Sequence, residues 1–133
     1  MNYESKKFEL ALNHINSGNY KEAKAIYLQL IKVGSLNHLV FGNLAIIYGI
    51  EGNFEEMYKL LLKAITIEPN YPDAHNNLGF YYTKKGELLS AIESYKNALK
   101  FNPYLSESHY NLGVIYADKG YFQESITAYK EAI

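Results

Sequence analysis

Four histidines are the side chains of this sequence best suited to bind a metal ion or transfer protons. His75 and His109 are separated by 34 residues. If they occupy equivalent places on neighbouring helices, their backbones lie about 10 Å apart, too far to share a zinc ion that holds each ligand at about 2 Å. His14 and His38 have no histidine or carboxylate three or four residues later, where a helix would form a metal-binding pair. We therefore predict no metal site, and a packing role for His75 and His109.

The residues and motifs of other kinds of catalysis are also absent from the sequence. The absence of cysteine excludes a thiol nucleophile, a thiolate metal site and a disulfide. None of the strings GxGxxG, GxxxxGK[ST], HExxH or GxSxG occurs. Glu51, Glu55 and Glu56 fall at a turn and a helix start, where acidic residues stabilise the helix N-terminus. We predict a protein that is not an enzyme and uses no cofactor.

The charge pattern bears on the class of partner. The formal net charge is −1, and all 13 basic residues are lysines, so the planar arginine fork that grips phosphate is missing. This balance argues against binding nucleic acid or a membrane surface through charge. No run approaches the roughly 18 apolar residues of a transmembrane helix, and the first residues lack a secretory-signal pattern. We predict a cytoplasmic protein without a nucleic-acid or membrane partner.

The elements that position these side chains recur every 34 residues. The recurring residues include Leu10, Leu44, Leu78 and Leu112, and Gly18, Gly52, Gly86 and Gly120. A fixed period of this length is typical of solenoids, in which one small unit stacks on copies of itself. We place the repeats at 4–37, 38–71, 72–105 and 106–133, the last being incomplete, and treat 1–133 as one domain.

Each repeat is predicted to be a pair of helices. In the third repeat the first helix runs from about Pro72 to Lys85, because proline suits a first helical turn and Gly86 can end the helix. The second helix runs from about Leu88 to Phe101, and Asn102–Pro103 breaks it. Repeat positions four, seven, eight and eleven of each first helix cluster on one side, which predicts that they form the core.

These residues resemble a known signature. His75-x2-Leu78-Gly79-x2-Tyr82, followed by Ala91-x3-Tyr95 and Pro103, is similar to the tetratricopeptide repeat (TPR) family, with histidine in place of tryptophan. The resemblance extends over nearly the whole chain, and the first repeat is the most divergent. It implies an all-α solenoid of about eight helices, in antiparallel pairs that stack into a right-handed superhelix. The first helix of each pair would line a concave groove.

The side of the first helices opposite the core carries apolar residues at position nine and, in the second to fourth repeats, asparagine at position six, where the first repeat has Glu9. Asparagine can hydrogen-bond the backbone of an extended peptide, and an exposed apolar column can accept its side chains. The candidate peptide-groove residues are Asn43, Asn77, Asn111, Ile46, Phe80, Val114, Asn76, Tyr110 and Lys84. The alternative is that the asparagines bond to a neighbouring helix and that position nine packs between helices.

Three functions follow from this pattern. The first is a scaffold that binds a peptide or helix of a partner protein in the groove. The second is the N-terminal recognition arm of a longer enzyme, such as a glycosyltransferase-type transferase, because Ile133 stops inside a helix. The third is self-association through the C-terminal helix, which has no polar capping helix after it.

Overall fold

The computed structural model describes residues 2–133, which contain eight α-helices and no β-strand. The helices are α1 (Tyr3–Asn16), α2 (Tyr20–Lys32), α3 (His38–Ile50), α4 (Phe54–Ile67), α5 (Pro72–Lys84), α6 (Leu88–Phe101), α7 (Ser106–Asp118) and α8 (Phe122–Ala132). This confirms the predicted all-α class and the helix number. The two helices of the third repeat begin and end within one residue of the predicted bounds.

Local sequence sets these bounds. Gly86, two residues after the end of α5, has a φ of +77°, a left-handed backbone conformation that glycine adopts without a steric penalty. At helix starts, the side-chain oxygen of Asn2 accepts from the Ser5 amide at 2.8 Å, and that of Asn37 accepts from the Leu39 amide at 2.9 Å. Such caps satisfy amides that have no partner inside the helix.

The helices group into two compact units, Met1–Pro69 and Asn70–Ile133. In the first unit α1 packs on α2, α2 on α3 and α3 on α4, and in the second unit α5 to α8 follow the same order. Contacts between helices adjacent in sequence are typical of repeat architectures. The single domain over 1–133 and the hand of the superhelix stay predictions.

Each unit has its own apolar core. The first core consists of Ala11, Ala23, Tyr27, Leu30, Val40, Leu44 and Ile47, and the second of Ala91, Tyr95, Leu112, Ile115 and Ala128. In the second unit, glycines let tyrosine rings lie directly on a helix backbone. A Cβ atom at Gly79 would be 2.5 Å from the Tyr95 ring, and one at Gly113 would be 2.7 Å from the Tyr129 ring. The small residues noted in the sequence therefore allow close helix packing.

Leu10 differs from the other leucines of its column. It is 43% exposed, whereas Leu44 is fully buried. The reason is that α3 packs against both α2 and α4, whereas α1 packs mainly against α2. The same side of α1 carries the exposed polar residues Lys6 and Asn13. Position seven is thus buried on α3, which has two packed neighbours, and exposed on α1.

Candidate functional site

The predicted groove residues project from α3, α5 and α7, the first helices of their pairs. Phe80 on α5 is 38% exposed, and Ile46 at the same repeat position on α3 is 43% exposed. The Lys84 ammonium lies over the Phe80 ring, with Nζ 5.4 Å from the ring centroid. Large apolar side chains left in water in this way are candidates for contact with a partner.

Asn43 is half-buried and makes a contact within the first unit. Its Nδ2 donates to the hydroxyl of Tyr27 at 3.1 Å. Burial raises the pKa of that hydroxyl, and the bond from Asn43 lowers it by a smaller amount. The asparagine therefore satisfies a buried tyrosine of the preceding helix pair, which is the structural role that we weighed against peptide binding.

Asn76 is buried, unlike the exposed groove residue that we expected. It is 3% exposed, and its Oδ1 accepts from the hydroxyl of Ser108 at 2.8 Å and from Nδ2 of Asn111 at 3.4 Å. Position five of α5 faces α7, the first helix of the next pair, and the Asn76 side chain makes its hydrogen bonds there. Asn76 and Asn111 thus hold α5 against α7, and Asn77 lies beside them, half-buried.

The face of α7 continues the apolar character of α5 within the same unit. Tyr110 is more than half exposed, and its ring packs at a tilt on Tyr129, with centroids 5.7 Å apart. Val114, one turn further on, is half-buried. Phe80, Tyr110 and Val114 are therefore exposed or half-buried apolar side chains on two helices that the Ser108–Asn76 hydrogen bond joins, and the contact face that they would form stays a prediction.

His75 and His109 make contacts within the chain. The His75 ring stacks on Phe101 with a centroid separation of 5.5 Å, and Nε2 of His109 donates to the carbonyl of Pro103 at 2.8 Å. Among residues 2–133 there is no group of three histidine, aspartate or glutamate side chains placed to hold a metal ion. In the same range no helix has both the length and the apolar character required to cross a bilayer.

The sequence did not predict a concave surface that we call the α6–α8 depression. It has a volume of about 400 Å³ and is lined by Lys96, Leu99, His109, Leu112, Tyr116, Gln123, Glu124, Thr127, Ala128 and Glu131. Repeat position 23 contains a signal that could have revealed it. The residues there are Ile26, Leu60, Ser94 and Ala128, so the side chains become small in the second half of the chain.

Comparison with family models gives matches along most of the chain. A model described as TPR repeat matches residues 45–86 and 81–120, and one described as tetratricopeptide repeat matches residues 7–33. None of the curated proteins compared with the sequence is significantly similar to it.

Solved structures share the fold. A crystal structure of MamA superposes with a TM-score of 0.86 at 21% identity, covering 98% of this chain and 77% of MamA. YrrB, a TPR protein with an unusual peptide-binding site, gives 0.79 at 21% identity, covering 98% of this chain and 68% of YrrB. The Cut9–Hcn1 assembly of the APC/C gives 0.86 at 20% identity, covering 98% of this chain and 26% of the matched chain. These likenesses confirm the predicted helical-repeat solenoid class.

Proposed function

Because this chain belongs to the tetratricopeptide repeat family, we propose that it is a protein-interaction scaffold without catalytic activity. The partner contributes a peptide or a helix, which binds along the first helices of the repeats. The fold-level likeness to YrrB, a TPR protein with an unusual peptide-binding site, supports a peptide as the kind of ligand.

The observation that carries the proposal is the exposed apolar face of α5 and α7. On α5 the residues Ala74, Leu78 and Tyr81 are buried, whereas Phe80 points away from them into solvent. Covering apolar surface contributes about 25 cal/mol for each Å² removed from water. A ligand that covers Phe80 and Val114 therefore gains its binding energy from a surface that the fold leaves open.

Polar groups beside this face can orient the ligand. The Asn77 amide offers both a donor and an acceptor, and Lys84 offers a cation next to Phe80. Because Asn43 and Asn111 bond within the chain, Asn77 is the member of the asparagine column that we assign to the peptide backbone. Apolar contacts then provide most of the affinity, and the amide sets the direction of the chain.

A peptide-display selection against the whole chain tests this proposal. Random 12-residue peptides are enriched, and the affinity of each hit is measured by fluorescence anisotropy for the original chain and for Phe80→Ala. Aromatic residues at the centre of an interface often contribute most of its energy. We expect Phe80→Ala to weaken binding about tenfold or more, and Asn77→Ala to weaken it about threefold.

Leu89→Ala is the matched control, since Leu89 is 76% exposed on α6 and lies outside the proposed face. Its affinity for the same peptides should be unchanged. Hits that bind the Phe80→Ala variant and the Phe80→Ala/Val114→Ala double variant as tightly as they bind the original chain would reject the α5–α7 face as the binding surface.

A further inference from the structure

We propose that the α6–α8 depression is a second docking site, which accepts a leucine-sized side chain from an amphipathic helix of a partner protein. A lysine or arginine on the same partner helix pairs with the carboxylates of α8. This site lies outside the face that contains Phe80, so it extends the binding capacity of the scaffold to a second surface.

The floor of the depression is apolar. Leu112 and Ala128 are buried core residues, and Leu99 and Tyr116 pack half-buried against the same core. The volume of about 400 Å³ falls within the range of about 300–1,000 Å³ that ligand pockets occupy. An apolar side chain inserted here would contact the core of the second unit directly.

The first unit indicates what fits. Leu60 on α4 occupies the repeat position of Ala128, and it packs against the first core. Phe41, which is buried on α3, occupies the repeat position of His109. At these two repeat positions the first unit therefore carries larger apolar side chains that are packed or buried. The second unit has a methyl group where the first has an isobutyl group, and a leucine from a partner would restore the missing volume.

His109, at the repeat position of Phe41, lines the depression. Its Nε2 donates to the Pro103 carbonyl at 2.8 Å, which fixes the ring towards the turn between α6 and α7. The ring is half-buried, and Leu112 and Ala128 lie at the base of the depression.

The rim selects the charge of the partner. Glu124 and Glu131 lie seven residues apart on α8, which is two helical turns, and both are exposed on the same wall. Lys96 lies on the α6 wall. A partner helix with its leucine in the depression is therefore stabilised by a basic residue facing α8 and by an acidic residue facing α6.

The test uses a display library of 16-residue helix-forming peptides, each with a fixed central leucine and randomised flanks, selected on the whole chain. We expect enriched peptides to carry lysine or arginine on the flank that faces α8. The Ala128→Leu variant fills the depression as Leu60 does in the first unit, and it should weaken these peptides at least tenfold. Glu124→Gln/Glu131→Gln should weaken them less, by about threefold, and the difference should shrink in high salt.

Two further measurements locate the binding. Phe80→Ala should leave the affinity of these peptides unchanged, so failure of the first proposal and failure of this one are distinguishable. Amide shifts of the ¹⁵N-labelled, unsubstituted chain should change around Leu99, Leu112 and Ala128 when a selected peptide is added. Circular dichroism checks that Ala128→Leu remains helical.

Any of three results would overturn the site. They are a library without enriched peptides, selected peptides that bind Ala128→Leu as tightly as the original chain, and amide shifts that map to α3 or α5. The shift map uses no variant, so it decides the question even if Ala128→Leu fails to fold.

Discussion

The contact between successive helix pairs, which we call the joint, has different chemistry in the two units. In the first unit, Phe8 packs at a tilt on Tyr27, with ring centroids 6.2 Å apart, and Val40 is fully buried. In the second unit, the equivalent repeat positions carry Asn76 and Ser108, which bond to each other in a buried position. One joint is apolar and the other is a hydrogen-bonded polar cluster.

This difference shows that the repeat pattern fixes where a residue points and leaves open what it contacts. The stability of an apolar joint depends on how completely its side chains fill the space, so a truncation lowers the free energy of unfolding in proportion to the cavity left behind. The stability of a buried polar cluster depends on each group having a hydrogen-bond partner, so removing one side chain leaves a buried polar group unpaired. Within residues 2–133 every buried side-chain nitrogen and oxygen has a hydrogen-bond partner, which is the condition that the second joint requires.

The largest effect is expected at the apolar joint. Leu44→Ala removes a fully buried side chain of the first core and should lower the free energy of unfolding by about 2–5 kcal/mol. Urea denaturation followed by circular dichroism measures the change, and hydrogen exchange shows where it acts. Protection should fall in α1–α4 more than in α5–α8, because each helix contacts its sequence neighbours.

Leu10→Ala is the control for that change, since Leu10 has the same repeat position but is 43% exposed. It should cost less than about 1 kcal/mol. Equal losses from Leu10→Ala and Leu44→Ala would contradict the interpretation that a covering helix decides the energy of this position.

An intermediate effect is expected at the polar joint. Asn76→Ala leaves the buried Ser108 hydroxyl without its acceptor and should cost about 1–3 kcal/mol. The double variant Asn76→Ala/Ser108→Ala should cost less than the sum of the single changes, because it removes both partners together. Strict additivity of the two changes, measured by urea denaturation, would mean that the hydrogen bond contributes nothing.

A smaller, pH-dependent effect comes from Tyr27. Burial raises the pKa of its hydroxyl above the ordinary value of about 10. Above that pH the unfolded chain loses this proton more readily than the folded chain does, so stability should decline as the pH rises past about 10. Replacement with Phe should reduce the decline between pH 9 and 11 in urea titrations, although it removes the acceptor for Asn43. An identical slope for both chains would show that Tyr27 does not contribute to the alkaline loss.

The smallest effect is expected at the ion pair between Lys24 and Glu51, because the equivalent positions of the second unit carry no such pair. Lys24 Nζ lies 2.9 Å from the Glu51 carboxylate and 4.5 Å from the centroid of the Tyr48 ring. The second unit has Ile92 and Lys119 at the equivalent positions. Because the pair is partly exposed, Lys24→Ala should cost about 0.5 kcal/mol at low salt. Added NaCl should reduce the difference between the two chains, and an unchanged difference in 0.5 M NaCl would assign it to packing of the lysine stem instead.

Much of the fold was predictable from sequence, because short stretches of sequence contain the residues that end helices and the apolar residues that recur in the core. Proline and glycine placed the ends of α5, and the period placed Leu44 and Leu112 in their cores. The burial of Asn76 was not predictable, because it depends on a hydroxyl at Ser108, 32 residues later. Leu10 was misjudged because its burial requires a second helix that covers it.

For the candidate site, the sequence predicted apolar residues at position nine, and their role in binding stays a prediction. Exposure of Ile46 and Phe80 at position nine agrees with the expected contact face, and the groove itself stays a prediction. The α6–α8 depression was missed because it arises from a small volume at Ala128, and an apolar-or-polar pattern does not distinguish alanine from leucine. The enzyme-arm and self-association alternatives, and the cytoplasmic location, also stay predictions.

The order of contacts has a consequence for how the protein is made. Within each unit, every helix packs on the helices that precede and follow it, so the contacts between helices join neighbouring stretches of the sequence. Chains with such low contact order fold on the order of microseconds to milliseconds, whereas a ribosome adds about 5–20 residues each second. We therefore expect the helices of the first unit to pack in the order in which they are synthesised, with α3 covering Tyr27 and Leu30 of α2 before the second unit is complete.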